Sequence, residues 1–235
     1  MKNIKMLAAA GLVAFSAFSA QAQVSLKSIS VGAGYWKPSL DYWNKESVMG
    51  QAGGKFDGAI APTLALEVGV VKGLSVGARV SSWKQSASSP ISIAGINRTE
   101  KLTLSIIPVA LDVKYAFAKP VAEGEKQPFL TPYAGVSVAR YFVKNEFNRV
   151  VEKGTGSVNE TQAGNNYGFQ VFVGAEKQLV KKLYLALDLR YHLGSYKQAV
   201  KTVTGSGSTA VTTSSSQDVS LNGVEAGLSL RYKFK

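Results

Sequence analysis

The 235-residue chain contains no cysteine and a single histidine, His192. The first absence excludes disulfide staples, c-type haem attachment and thiolate metal sites. The second argues against a histidine-built metal cluster. Past the N-terminus no apolar run approaches the roughly 20 residues of a membrane-spanning helix, so a helical membrane protein is excluded. A phosphate-cradling loop is missing as well. The nearest stretch, "GQAGGKF" at residues 50 to 56, lacks the first glycine at the right spacing and any Ser or Thr after Lys55. No helical pattern follows it. No cofactor is therefore expected. Acidic residues are scarce, 15 against 27 basic ones, for a net charge of +12. No nucleic-acid recognition module accompanies that charge, so nucleic acid is not an expected partner.

The first apolar run is of another kind. In "MKNIKMLAAAGLVAFSAFSAQA", Lys2 and Lys5 precede a short apolar stretch, residues 6 to 19, and Ala20-Gln21-Ala22 supplies small residues at the spacing of a cleavage site. About 14 apolar residues are too few for a membrane anchor. The pattern is that of a secretory leader, residues 1–22, removed after Ala22. The exported chain would be residues 23–235, with a net charge of +10.

What that chain does have is alternation. In "GVEAGLSLRYKFK" the apolar Val224, Ala226, Leu228, Leu230, Tyr232 and Phe234 share one parity, and Glu225, Gly227, Ser229, Arg231 and Lys233 the other. A period of two means a β-strand with two unlike faces. The pattern recurs in "SISVGAGYW", "IAPTLALEVGV", "GLSVGARVSSW", "LTLSIIPVALDVKYAF", "FLTPYAGVSVARY", "GFQVFVGAEK" and "KLYLALDLRYHLG", giving eight strands of about 9 to 11 residues. The doubled Ile106-Ile107 interrupts the parity and reads as a bulge. Connections after strands one, three, five and seven are long, about residues 38–58, 84–99, 144–165 and 197–217. Those after strands two, four and six, "VKG", "AKPVAEGEKQP" and "QLVKK", are mostly shorter. Long loops alternating with short turns mark an outer-membrane barrel with its loops outside the cell. The fold class is thus all-β, an eight-stranded antiparallel up-and-down transmembrane β-barrel.

The polar parity belongs inside. It carries Gly32, Gly34, Gly69, Gly77, Gly135, Gly168, Gly174 and Gly227, and small residues ease crowding where side chains converge in a narrow barrel. It also carries balanced charges: Glu67, Asp112, Glu176, Asp188 and Glu225 against Arg79, Lys114, Arg190, Arg231 and Lys233. A lipid-facing Arg or Lys near the midplane would cost about 2–4 kcal/mol. These ten residues therefore form an expected charge network in a polar lumen, with Arg140 the exception that snorkels at the outer rim. Tyr35, Trp36, Trp83, Tyr141, Phe142, Tyr167, Tyr191 and Tyr196 fall near the loop ends of strands, and Tyr115, Phe117, Phe129, Tyr232 and Phe234 near the turn ends. Two aromatic belts are expected of a membrane barrel.

"GFQVFVGAEKQLVKKLYLALDLRYHLG" and the closing "VEAGLSLRYKF" resemble the small bacterial outer-membrane β-barrel family of the outer-membrane protein A, X and W type. The resemblance spans residues 23–235. It implies an outer-membrane location and a closing strand read by the barrel assembly machinery, here through Gly227, Leu228, Leu230, Tyr232 and Phe234, with Lys235 added after the usual terminal Phe. Fold and place follow from it more than an activity does.

Little catalytic chemistry competes. His192 lies on the inward parity four residues after Asp188. An acid–base pair is the sharp reading and a polar lumen residue near the outer rim the plain one. Barrel deacylases pair His with Ser two apart on a lipid-accessible face, whereas position 194 is Gly, so the protein is read as not an enzyme. "NRT" and "NET" at Asn97 and Asn159 are formal glycosylation sequons in polar loops, and "TGSGSTAVTTSSSQ" reads as a mobile surface loop. Lys37, Lys45, Lys55, Lys84, Arg98, Lys101, Lys144, Arg149, Lys153 and Lys197 form a basic rim that either meets lipopolysaccharide phosphates or is merely solvated. The expected partners are outer-membrane lipid and lipopolysaccharide, the barrel assembly machinery and an extracellular partner of unknown identity.

Three functions remain open. The first is a structural or surface-interaction barrel with a largely filled lumen, presenting mobile loops. The second is a narrow conduit for small or apolar solutes. The third is a soluble periplasmic lipocalin-like binder with the apolar parity turned inward.

Overall fold

The computed structural model describes residues 25–93, 96–117, 128–151, 157–204 and 211–234; the expected leader, residues 1–22, lies outside them. Ten strands form one antiparallel system that closes as a ring of eight. They are β1 (Ser25–Pro38), β2 (Ala59–Val71), β3 (Leu74–Ser81), β4 (Trp83–Ile93) and β5 (Ile96–Ala116). β6 (Thr131–Val151), β7 (Ser157–Val180), β8 (Leu183–Thr204), β9 (Val211–Ser220) and β10 (Gly223–Lys233) follow. Each strand of the ring pairs with the next, and β10 closes it between β8 and β1. β4 continues the line of β3 along β5, and β9 continues the line of β10 along β8. Two of the eight wall positions are thus strands broken in the middle, at Ser82 and at Leu221-Asn222.

The apolar parity faces outward, as in a barrel set in lipid. Val31, Leu64, Leu111, Val136, Phe169, Leu187 and Leu228 are all exposed, Leu111 to 64%. The opposite parity is buried in the lumen, so the lipocalin-like arrangement with apolar residues inside this section is not the one found. Glycines on the inner face make room for larger neighbours. A Cβ on Gly34 would lie 2.6 Å from Glu225 Oε1. The tight turn at Lys72-Gly73 uses glycine differently, since Gly73 has φ +81°, a left-handed conformation that a side chain disfavours.

Strand length departs from expectation. β5, β6, β7 and β8 run for 21 to 24 residues, about twice what a tilted crossing needs. Three of the four expected long loops are therefore mostly strand: 84–99 is occupied by β4 and the start of β5, 144–165 by β6 and β7, and 197–217 by β8 and β9. The segment expected as a mobile loop, 204–217, is β9 from Val211 onward; residues 205–210 lie outside the described residues. Serine and threonine are poor guides here, because on the outer face of a strand in water they are ordinary residues. Among the described residues, only 39–58 form a compact non-strand loop. It contains a single wide helical turn, Tyr42–Glu46, and a four-residue helix, α1 (Val48–Gln51), capped by the Ser47 hydroxyl, which accepts from Gly50 N–H at 3.0 Å.

The doubled Ile106-Ile107 is not a bulge. The β5–β6 ladder runs without a shift through Ile106↔Val143 and Ile107↔Phe142. The shifts fall near the turn end instead, at Leu26/Ser28, Gly69/Val71 and Gln178/Val180. Ile107 points out and Ile106, fully buried, points in. Parity holds; the chemistry of the two faces exchanges. Below this level Asp112 and Lys114 face in and Val109, Leu111 and Val113 face out. Above it Leu102 and Leu104 face in, and Thr99 and Lys101 face out.

Candidate functional site

The lumen is filled in layers. At the turn end Glu67 is held by Lys114 and by Lys27, the latter at 2.8 Å, while Glu176 takes Arg231 and Lys233. One layer higher Arg190 pairs with Asp112 at 3.2 Å and donates to Ser137 and Gln170, both at 2.8 Å. Arg79 crosses the lumen to Glu225 at 3.1 Å and to Gln170 at 3.0 Å. Asp188 accepts the Tyr133 hydroxyl at 2.8 Å. All ten residues named from the sequence point inward, nine of them in ion pairs and Asp188 in that hydrogen bond. Lys27, Tyr133, Ser137 and Gln170 are further members that the sequence does not single out. Parity marks Tyr133, Ser137 and Gln170 as inward, but nothing in the sequence says which inward residue meets which. Beside these groups a cavity of about 70 Å³ runs along β1, β2, β3 and β10, where Gly32, Gly34, Gly77 and Gly227 line it. It is roomy enough for water and too small for a solute of any size.

His192 sits at the boundary. It is fully buried, donates from Nε2 to Glu225 at 2.7 Å, and lies beside the Tyr141 hydroxyl through Nδ1 at 3.1 Å. Its ring stacks on Trp36, with centroids 4.3 Å apart and planes at 19°. Asp188 is engaged elsewhere, so the two do not form the acid–base pair that their spacing suggests.

Above His192 the lumen turns apolar. Trp36, Trp83, Tyr141, Leu102, Leu104 and Ile106 are buried to 1% exposure or less, and Leu40, Met49 and Phe56 of the 39–58 loop pack onto them. The Trp83 indole donates to the Trp36 carbonyl at 3.0 Å. Four aromatics expected in the outer belt, Trp36, Trp83, Tyr141 and Tyr196, are thus plug residues instead. Nearness to a strand end suggests the belt; parity argues otherwise, since each shares the inward register of its strand. Tyr35, Phe142, Tyr167 and Tyr191 do face outward, as do Tyr115, Phe117, Phe129, Tyr232 and Phe234 at the other edge. Arg140 lies between Phe142 and Tyr167, 5.3 and 5.2 Å from their ring centres, and donates to Asn165. Of the closing-strand residues, Leu228, Leu230, Tyr232 and Phe234 are exposed and Gly227 faces the cavity.

The basic rim divides. Lys37 pairs with Asp57, Lys45 with Asp41, Lys144 with Glu146, and both Arg98 and Arg149 with Glu100. Lys55, Lys84, Lys101 and Lys197 are exposed and have no carboxylate in ion-pair reach among the described residues. Lys153 lies outside the described residues.

Higher still, the wall opens. β7 and β8 stay paired only up to Gly168↔Gly194; beyond that β7 pairs with β6 alone and β8 with β9. A slot of about 280 Å³, lined by Val143, Gln162, Gly164, Tyr196 and Gln198, lies where they part. A second cavity of about 230 Å³ occupies the mouth between the 39–58 loop and the upper wall of β5 to β8.

A closed antiparallel ring of eight strands is the fold of the small bacterial outer-membrane β-barrels. Among solved structures, OprG from Pseudomonas aeruginosa is 15% identical with a TM-score of 0.52, covering 91% of this chain and 98% of that one. A major outer membrane protein from Thermus thermophilus is 14% identical, with a TM-score of 0.48 and coverage of 88% and 98%. Neisserial surface protein A is 14% identical, with a TM-score of 0.46 and coverage of 90% and 99%. At such identities the likeness is one of fold. No family model and no curated relative matches the chain.

Proposed function

We propose that the protein is a non-enzymatic barrel of the bacterial outer membrane with a structural and surface-interaction role. On this reading the leader ending at Ala22 exports it, and the assembly machinery inserts it through Gly227, Leu228, Leu230, Tyr232 and Phe234. The observation that carries the reading is the double closure of the lumen. Side chains joined by ion pairs block the turn-end half, and a water-excluding plug blocks the half above His192. An eight-stranded barrel is just wide enough for side chains to fill. The part left to act is the tall wall of β4 to β9 standing beyond the apolar belt, with Lys84 and Lys197 placed near the belt's outer edge to meet lipopolysaccharide phosphates.

The test is outer-membrane fractionation, a heat-modifiable band on a detergent gel, N-terminal sequencing and planar-bilayer recording. Outer-membrane recovery, a mature start after Ala22 and no conductance are expected. Recovery in the soluble periplasm, or steady single-channel current, would overturn the proposal.

A second reading, passage of small apolar solutes, is favoured by one observation: the slot between β7 and β8 opens sideways just above the belt. On that reading the solute leaves the mouth through the wall and never traverses the plug, so uptake by vesicles would occur without conductance.

A further inference from the structure

The cavity in the mouth has unlike sides. One is aromatic and apolar: the half-buried rings of Trp43 and Phe147 face it, with Met49 and Leu102 closing its floor. The Trp43 indole donates to the Tyr196 hydroxyl at 2.7 Å, and Tyr42 packs edge-on against it with centroids 5.0 Å apart, so the ring is fixed before any ligand arrives. The other side is a chain of amides. Asn145 donates to the side-chain carbonyl oxygen of Gln198, and Gln198 donates in turn to Gln162. This chain leaves Asn145 Oδ1 as an acceptor and Gln162 Nε2 as a donor, neither with a protein partner among the described residues. The charges on the lining balance, since Arg98 and Arg149 both pair with the buried Glu100 and the exposed Glu160 adds a second carboxylate, so net charge does not select the occupant.

We propose that this cup binds a saccharide unit, an uncharged pyranose ring of a surface glycan or free sugar. A hydroxyl both donates and accepts, and an amide chain with a free acceptor at one end and a free donor at the other matches a pair of neighbouring hydroxyls. The apolar C–H face of the same ring stacks on a fixed aromatic face, here Trp43 or Phe147. At about 230 Å³ the cup falls below the roughly 300–1,000 Å³ of sites for drug-sized ligands, which sets the occupant at one ring. The inference rests on the wall standing outside the membrane.

The experiment uses the full refolded barrel in an amine-oxide detergent, since sugar-based detergents would compete. Glucose, galactose and N-acetylglucosamine are titrated while tryptophan fluorescence is followed. Trp43 is the reporter, because Trp36 and Trp83 are sealed in the plug. Saturable millimolar binding by at least one sugar is expected, weakened at least tenfold by Gln198→Ala in fluorescence and by Trp43→Phe, which removes the reporter and is followed instead through the Asn145 and Gln162 side-chain amide resonances. The heat-shifted gel band reports folding separately, so loss of the barrel and loss of the cup are distinguishable. Should a variant misfold, side-chain amide resonances of the unaltered protein give the second measurement, and those of Asn145 and Gln162 are expected to move on titration. No saturation by any of the three sugars overturns the proposal. So does saturation that leaves the Asn145 and Gln162 amides unmoved, or affinity unchanged in both folded variants.

Discussion

β5 is two strands in one, and the contrast between its halves explains most of the molecule. From Ile107 toward the turn end it is apolar outside and charged inside; from Ile106 toward the loop end it is polar outside and apolar inside. Its neighbour β6 exchanges at the same level, with Phe142 outward and Val143 inward opposite the two isoleucines. So does β1, where Tyr35 faces out and Trp36 faces in. The solvent on the outer face decides which residues lie within. In lipid the wall must be apolar, and the lumen is left to groups that satisfy one another. In water the wall must be polar, and burial of Leu102, Leu104, Trp36 and Trp83 supplies the ordinary hydrophobic stabilisation of a soluble barrel. One chain builds a barrel with an apolar wall and continues it as one with a polar wall.

The sharpest way to break the comparison is to attack each core by its own weakness. In the charged half, Glu225→Ala leaves both Arg79 and His192 without the carboxylate they share. Breaking a buried pair costs about 3–5 kcal/mol, because the remaining charge stays desolvated. Urea unfolding in lipid vesicles should show that loss, and Glu225→Gln, which retains hydrogen-bonding atoms, should show less. In the apolar half, Trp36→Ala removes a fully buried ring packed on Trp83 and His192, for a similar loss of about 3–5 kcal/mol. Planar-bilayer recording of the second variant then separates the two closures. Trp36→Ala should not conduct, because the ion-paired layers beneath still fill the ring. A current through that variant would show that the plug alone closes the barrel.

The alternation makes both the ring of eight and the outward face legible in the sequence, because the parity of Leu, Val and Ile in "LYLALDLRYHL" or "VEAGLSLRYKF" admits few other arrangements. The ten lumen charges are legible for the same reason. The level at which the pattern exchanges is not. In sequence Ile106-Ile107 looks like a defect in one strand, whereas in the fold the doublet marks where the outer face changes from apolar to polar. Trp36, Trp83, Tyr141 and Tyr196 suggest a belt by their nearness to strand ends, although parity puts each inside. There composition points one way and periodicity the other, and periodicity is the better guide. The same holds in 144–165 and 204–217, where polar residues have the composition of loops and the conformation of strands. The mouth cavity is beyond reach, since Trp43, Phe147 and Gln198 meet only through tertiary structure.

A smaller effect sharpens the boundary on the outer face. Leu111 is 64% exposed within the belt and Lys101 is exposed above it on the same strand and the same parity. Leu111→Arg should cost about 2–4 kcal/mol in vesicles if the residue lies near the bilayer midplane. Lys101→Leu, in water, should fall within about 0.5 kcal/mol of no change. Equal effects at the two sites would sink the assignment of a lipid level and a water level.

Arg140 offers the finest division. It shares the outward parity of Val136 and Val138 yet carries a charge, and its guanidinium rests on Phe142 and Tyr167 while donating to Asn165 at 2.7 Å. Those contacts reach toward the loop end, the direction in which a long cation escapes lipid. Cation–π contact at an exposed site is worth about 0.5–1 kcal/mol, and removing the charge from the edge of the bilayer relieves a cost of about 0–1 kcal/mol. The two nearly cancel. Arg140→Leu should therefore leave vesicle stability almost unchanged. Arg140→Lys, which keeps the charge but loses the flat contact with two rings, should be the less stable of the pair. If Arg140→Leu instead stabilises by as much as Leu111→Arg destabilises, Arg140 lies deep in lipid and the exchange level sits higher on the wall than the isoleucine doublet.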